Sequence, residues 1–186
     1  MQFYNLPVKY NGNIYYFNIY LGLLLYRNES SKDNQNNEEI PSSILRDYQL
    51  VLQPYNISTT LNSTVYVKLS IVAKIYTKLL VFACKYSFLI ARVIAYLPLI
   101  RFSDTKQALQ VFALLYPSSS QNNTLCLPRT LFVIATSKCF KKNGTAFVGV
   151  FLPTRKMHAW IIEGGINPDA FDNSWILFQP VIAITK

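Results

Sequence analysis

The sequence predicts an α+β fold, with helices packed on an antiparallel sheet and a small β-rich segment ahead of them. Three observations carry this expectation. Residues 1–58 hold short aromatic, β-prone runs separated by Asn-Gly and Gly. Residues 64–117 are mostly apolar, with cations at helical spacings and Pro117 at the end. Residues 124–185 then read as a helix followed by strands in succession. The chain has 186 residues, 51% of them apolar, sufficient for one ordinary domain or a small module with a compact core.

In the first zone, residues 13–20 and 23–26 gather Tyr, Phe, Ile and Leu between turn residues and read as strands. Residues 27–39, rich in Asn, Ser, Asp and Glu, read as a loop. Ile40-Pro41-Ser42-Ser43 leads into a helix candidate over 43–52. The polar stretch 53–63, punctuated by Pro54, is the best linker. It divides the chain into a 1–58 segment and a 64–186 domain.

The second zone reads as helical. Lys74, Lys78, Lys85 and Arg92 follow one another at spacings of 4, 7 and 7, close to one face of a single helix that Pro98 ends. A narrow basic stripe on an apolar helix is read first as a core helix with one solvated edge. A membrane-surface or partner-binding helix is the sharper alternative. Ser103-Asp104 caps a second helix that runs to Tyr116.

The third zone carries the chemistry. Thr124 or Asn123 is a candidate N-cap, and Pro128 is tolerated only in a first helical turn, so Cys126 lies at a helix start. Unpaired backbone N–H groups and the positive end of the helix dipole there favour a thiolate, and the same groups suit an oxyanion. Residues 131–139 continue the helix and Gly144 stops it. Residues 145–152, 157–163 and 175–185 read as strands, with Gly164-Gly165 as a turn. His158, the one histidine of the chain, lies on the second of these strands, and Asp169 and Asp172 follow it. A thiol, an imidazole and a carboxylate in this order make a nucleophile, a base and an orienting group. Cys84 and Cys139, inside helical runs, read as small buried hydrophobes. Arg129, one turn from the thiol, either pairs with a carboxylate near the site or is a solvated first-turn charge.

Bulk properties exclude several classes. The net charge of +9 suits an acidic partner, a phosphate ligand, nucleic acid or anionic lipid without choosing among them. Three cysteines without regular spacing argue against a disulfide framework and fit a reducing compartment. One histidine and no Cys-x-x-Cys argue against an ordinary zinc site, so no metal or cofactor is expected. The amino terminus lacks a basic leader with a following apolar run, so no targeting signal is expected. Cations interrupt residues 65–100 too often for a spanning helix.

Cys126-Leu127-Pro128-Arg129-Thr130-Leu131, Phe147-Val148-Gly149-Val150, His158-Ala159-Trp160 and Gly164-Gly165 together resemble the lasso-peptide (microcin-type) maturation peptidases, the transglutaminase-like B proteins. The likeness covers about residues 122–184. It implies a transglutaminase-like, papain-like cysteine-peptidase core that cleaves the leader from a ribosomally made precursor. An ATP-dependent, asparagine-synthetase-like lactam synthetase then closes the ring, so any ATP requirement enters through that partner. By position, Cys126 would be the nucleophile and His158 the base. Asp169 stands one residue before the place of the family acid and Asp172 two after it. The resemblance favours Asp169, with Asp172 as the alternative acid. Thr130 replaces the family serine. The family also carries a leader-recognition segment, for which residues 1–58 have a suitable length. The cysteine usage fits a cytoplasmic setting, with membrane association as an open alternative. Whether the basic helix docks on a membrane transporter of the same cluster or on the synthetase stays open.

Two other classes remain as alternatives: a non-catalytic scaffold that binds precursor and synthetase, and a basic nucleic-acid-binding protein. The second is disfavoured, because aromatic and basic residues are not interleaved in any recognisable nucleic-acid motif.

Overall fold

A computed structural model describes residues 1–18, 20, 23–28, 41, 42, 44, 58–59, 70–97, 99–117, 125–169 and 174–186. Four strands come first: β1 (Gln2–Asn5), β2 (Val8–Tyr10), β3 (Asn13–Asn18) and β4 (Leu23–Asn28). After β5 (Ser58–Thr59) come helices α1 (Ile71–Tyr86), α2 (Phe88–Tyr96) and α3 (Thr105–Leu115). Helices α4 (Cys126–Thr136) and α5 (Lys138–Asn143) lead into β6 (Gly144–Phe151), β7 (Lys156–Glu163), β8 (Ile166–Asn167) and β9 (Gln179–Thr185). The result is α+β.

Serine and aspartate side chains punctuate the helices. The Ser70 hydroxyl accepts from the Ala73 N–H at 3.1 Å and starts α1, and Asp104 accepts from the Gln107 N–H at 2.8 Å and starts α3. The single helix expected through Arg92 is instead two. Ser87 takes an extended backbone between α1 and α2, and its hydroxyl accepts from the Ile90 N–H. Ser137 likewise separates α4 from α5, where one continuous helix was expected, and accepts from the Phe140 N–H at 3.1 Å. The expected strand over 175–185 begins later, because residues Ser174–Leu177 form a 3₁₀ turn. The helix candidate over 43–52, the loop 27–39 and the linker 53–63 fall almost wholly outside the described residues, as do Asn123, Thr124 and Pro98.

The main sheet has the order β1-β9-β6-β7-β8-β5, antiparallel except where β5 meets β8, and β2-β3-β4 form a second antiparallel sheet. The first strand is built into the main sheet, with Gln2 opposite Thr185 and Asn5 opposite Ile182. Val8, Tyr15 and Phe17 of the second sheet join the same core as Phe88 and α4. The described strands on the amino-terminal side of residue 58 therefore share a core with the rest of the chain.

Strand alternation divides the main sheet into two faces. Ala146, Val148, Ala159, Ile161 and Ile184 pack with α1 to α4, whereas Phe147, Trp160, Ile162 and Ala183 pack with Leu6, Ile44 and Trp175.

Candidate active site

Cys126 is the first residue of α4, and it is 8% exposed. Leu125, not the expected Thr124 or Asn123, holds the N-cap position, and its apolar side chain makes no capping bond. The first-turn N–H groups, which have no partner within a helix, therefore receive no acceptor from that position. Ten of the eleven residues of α4 are buried, so the helix start has a fixed place in the core. Cys84 of α1 lies close to Cys126. Burial pushes the Cys84 thiol up to about 12, and the charge of a Cys126 thiolate adds to that push. Cys84 thus stays protonated at ordinary pH and is no competing nucleophile.

The carboxyl end of α4 lies by the end of β9, where the Lys186 ammonium donates to the Ala135 carbonyl at 3.1 Å. From there α5 leads directly into the start of β6. Helix α4 therefore runs antiparallel to β6, and Cys126 points to the end of the sheet where β6 finishes and β7 begins. His158, the third residue of β7, lies at that end. The two side chains lie on opposite faces, however. Cys126 joins the core with Ala159 and Ile161, whereas the His158 ring packs with Trp160 and Phe178. The fold therefore does not bring thiol and imidazole into contact.

His158 is 1% exposed and sits opposite Gly149 in the ladder. By alternation it shares the face of Trp160 and Ile162. Its ring stacks on Trp160 with centroids 6.1 Å apart and planes at 12°, and meets Phe178 at 5.1 Å. Trp160 in turn stacks on Phe147 and Trp175. The aromatic wall requires a glycine: a Cβ at Gly149 would lie 2.5 Å from Trp160 Cη2 and 2.8 Å from the Gln179 carbonyl oxygen. Two aromatic rings thus flank the buried imidazole on this face of the sheet.

Arg129, one turn into α4, is buried and reaches Asp169, its Nη1 2.9 Å from Oδ2. The Asp169 backbone N–H donates to Asn167 Oδ1 at 2.9 Å. An ion pair in such a place costs desolvation and repays it through geometry and further hydrogen bonds. Here it ties the first turn of α4 to the chain that leaves β8. Of the two open readings for Arg129, pairing with a carboxylate is the one observed. Asp169, expected beside the imidazole, has Arg129 as its described ionic partner, and Asp172 lies outside the described residues. The proximity of Cys84 had no signal in the sequence. Among the described residues, no three His, Cys, Asp or Glu side chains gather as a metal-binding group.

A scan against protein-family models, a search of the curated proteins and a search of the solved structures find no match to this chain.

Proposed function

We propose that the chain is a cysteine peptidase that removes the leader from a ribosomally made lasso-peptide precursor. One observation carries the chemistry: Cys126 opens a buried helix whose first turn lacks a side-chain cap. The substrate class rests on the resemblance of the motifs around these residues.

For this, His158 must reach Cys126 around the end of the sheet from the opposite face and take its proton. Sγ then bonds to the carbonyl carbon of the last leader residue. Backbone N–H groups at the start of α4 receive the oxyanion. The C–N bond breaks as His158 returns the proton to the leaving amine, and water then hydrolyses the thioester. This releases the leader as a carboxylate and restores the thiol. Asp169 orients the imidazole, as the third member of a triad does. A second reading gives that duty to Asp172, and the ion pair supports it, because Arg129 already holds Asp169 Oδ2.

Among the described residues β2 and β4 stand at the two ends of the three-stranded order, and an end strand is a place for the leader to add as a strand. The freed core peptide then passes to the ATP-dependent lactam synthetase. Incubation with precursor, synthetase and ATP, followed by mass spectrometry, tests the reading. Cys126→Ala and His158→Ala should each abolish leader release. Release at the wild-type rate from Cys126→Ala would leave only the scaffold reading. Of the two acids, the one whose Ala variant retains release is not the orienting group.

A further inference from the structure

The outer surface of the α1–α2 hairpin has a composition that neither the core nor the proposed site uses. On α1, Ile71, Ile75, Leu79, Phe82 and Tyr86 recur at helical spacing and are all exposed, Ile71 by 75% and Phe82 by 62%. The opposite side of the helix, with Ala73, Tyr76, Leu80 and Ala83, is buried. Leu89, Ile90, Val93, Tyr96 and Leu97 extend the exposed apolar surface along α2. A contiguous apolar surface of this kind on a folded chain marks an interaction site.

Its border identifies the partner. Lys74, Lys78 and Lys85 are exposed and lie one step around α1 from the apolar stripe, along its length. Between Asp47 and Asp104 the sequence contains no Asp or Glu. The surface is thus apolar in the middle and basic at its edge, with no acidic residue on either helix. A second copy of the chain would bring these lysines against one another with nothing of opposite sign on the facing helices. An anionic phospholipid surface meets both features at once, since lysine stems lie along apolar surface while their ammonium groups reach phosphates. Phe82, Tyr86 and Tyr96 suit the headgroup boundary. No described helix is long and apolar enough to cross a membrane, so the hairpin would lie flat.

We propose that the exposed face of the α1–α2 hairpin docks the protein on the surface of an anionic phospholipid bilayer. The test is sedimentation of the whole chain with vesicles of phosphatidylglycerol and phosphatidylcholine, against vesicles of phosphatidylcholine alone. Partition should be at least about tenfold greater on the anionic vesicles and fall with added salt. The triple variant Lys74→Gln, Lys78→Gln, Lys85→Gln should lose about tenfold or more of it, with an unchanged circular dichroism spectrum. In a second measurement, the indole of Phe82→Trp should be quenched by brominated lipid, while Trp160 and Trp175, both buried, stay dark to the quencher. Equal partition on the two vesicle types, or unchanged binding by the triple variant, would overturn the proposal. So would a dimer that shields the new indole from acrylamide without lipid.

Discussion

Helices α4 and α1 are both largely apolar, yet the fold treats them in opposite ways. Ten of eleven residues of α4 are buried, whereas only five of sixteen are buried in α1. Helix α4 lies between the sheet and the other helices, so its first turn has a fixed position and the thiol there has fixed surroundings. Helix α1 packs one side and presents apolar residues and lysines on the other. Immobility on all sides suits a nucleophile, and a free apolar side suits docking. An apolar sequence by itself does not specify burial on all sides or on one; the layer that the helix occupies does.

The contrast predicts where substitutions are felt. Arg129→Met should cost about 3–5 kcal/mol in chemical unfolding, because it leaves the Asp169 carboxylate buried without its cation. Adding Asp169→Leu should recover much of that loss. A loss well under 1 kcal/mol from Arg129→Met alone would mean that α4 is not held by the pair. Gly149→Ala should cost about 1–3 kcal/mol, since its methyl group meets Trp160 and a backbone carbonyl, and His158 should lose its ring neighbour's alignment with it. The junction of the two helices is sensitive to alkali. The Cys84 thiol is raised from 9.0 to about 12 in the folded chain. The unfolded chain therefore loses this proton first, and stability falls as pH rises above 9. The loss is about 1 kcal/mol by pH 10, and Cys84→Ala should remove that component from a pH series of unfolding curves. On the open side, Ile75→Gln should change stability by no more than about 0.5 kcal/mol. A large loss there would show that the face is already covered within the folded chain.

Much of this contrast was legible in the sequence where local chemistry decides it. Pro128 fixed the start of α4, Asp104 fixed that of α3, and Gly164-Gly165 the turn after β7, each with positive φ. The break at Ser87 was hidden because Lys78, Lys85 and Arg92 keep a seven-residue spacing across it. In the fold Arg92 belongs to α2 and lies over the Phe3 ring at 4.1 Å. Ser137 was hidden in the same way, as one hydroxyl within an otherwise helical run. Pairing of β1 with β9 joins residues far apart in sequence, and no local pattern names a strand's partner. The Arg129–Asp169 pair and the approach of Cys84 to Cys126 are likewise products of the packed layers. The place of Cys126 at a helix start and of His158 on a strand was legible through residue type and order; the face of the sheet that each occupies was not.

The central claim is that Cys126 carries the acyl group. Rapid acid quenching of a reaction with precursor, synthetase and ATP, followed by peptide mapping, measures this directly. The account predicts leader peptide on the fragment that contains Cys126, released by hydroxylamine as a thioester is, and absent from Cys126→Ala. Leader attached to another residue, or released at the wild-type rate by Cys126→Ala with no adduct on the enzyme, would contradict it.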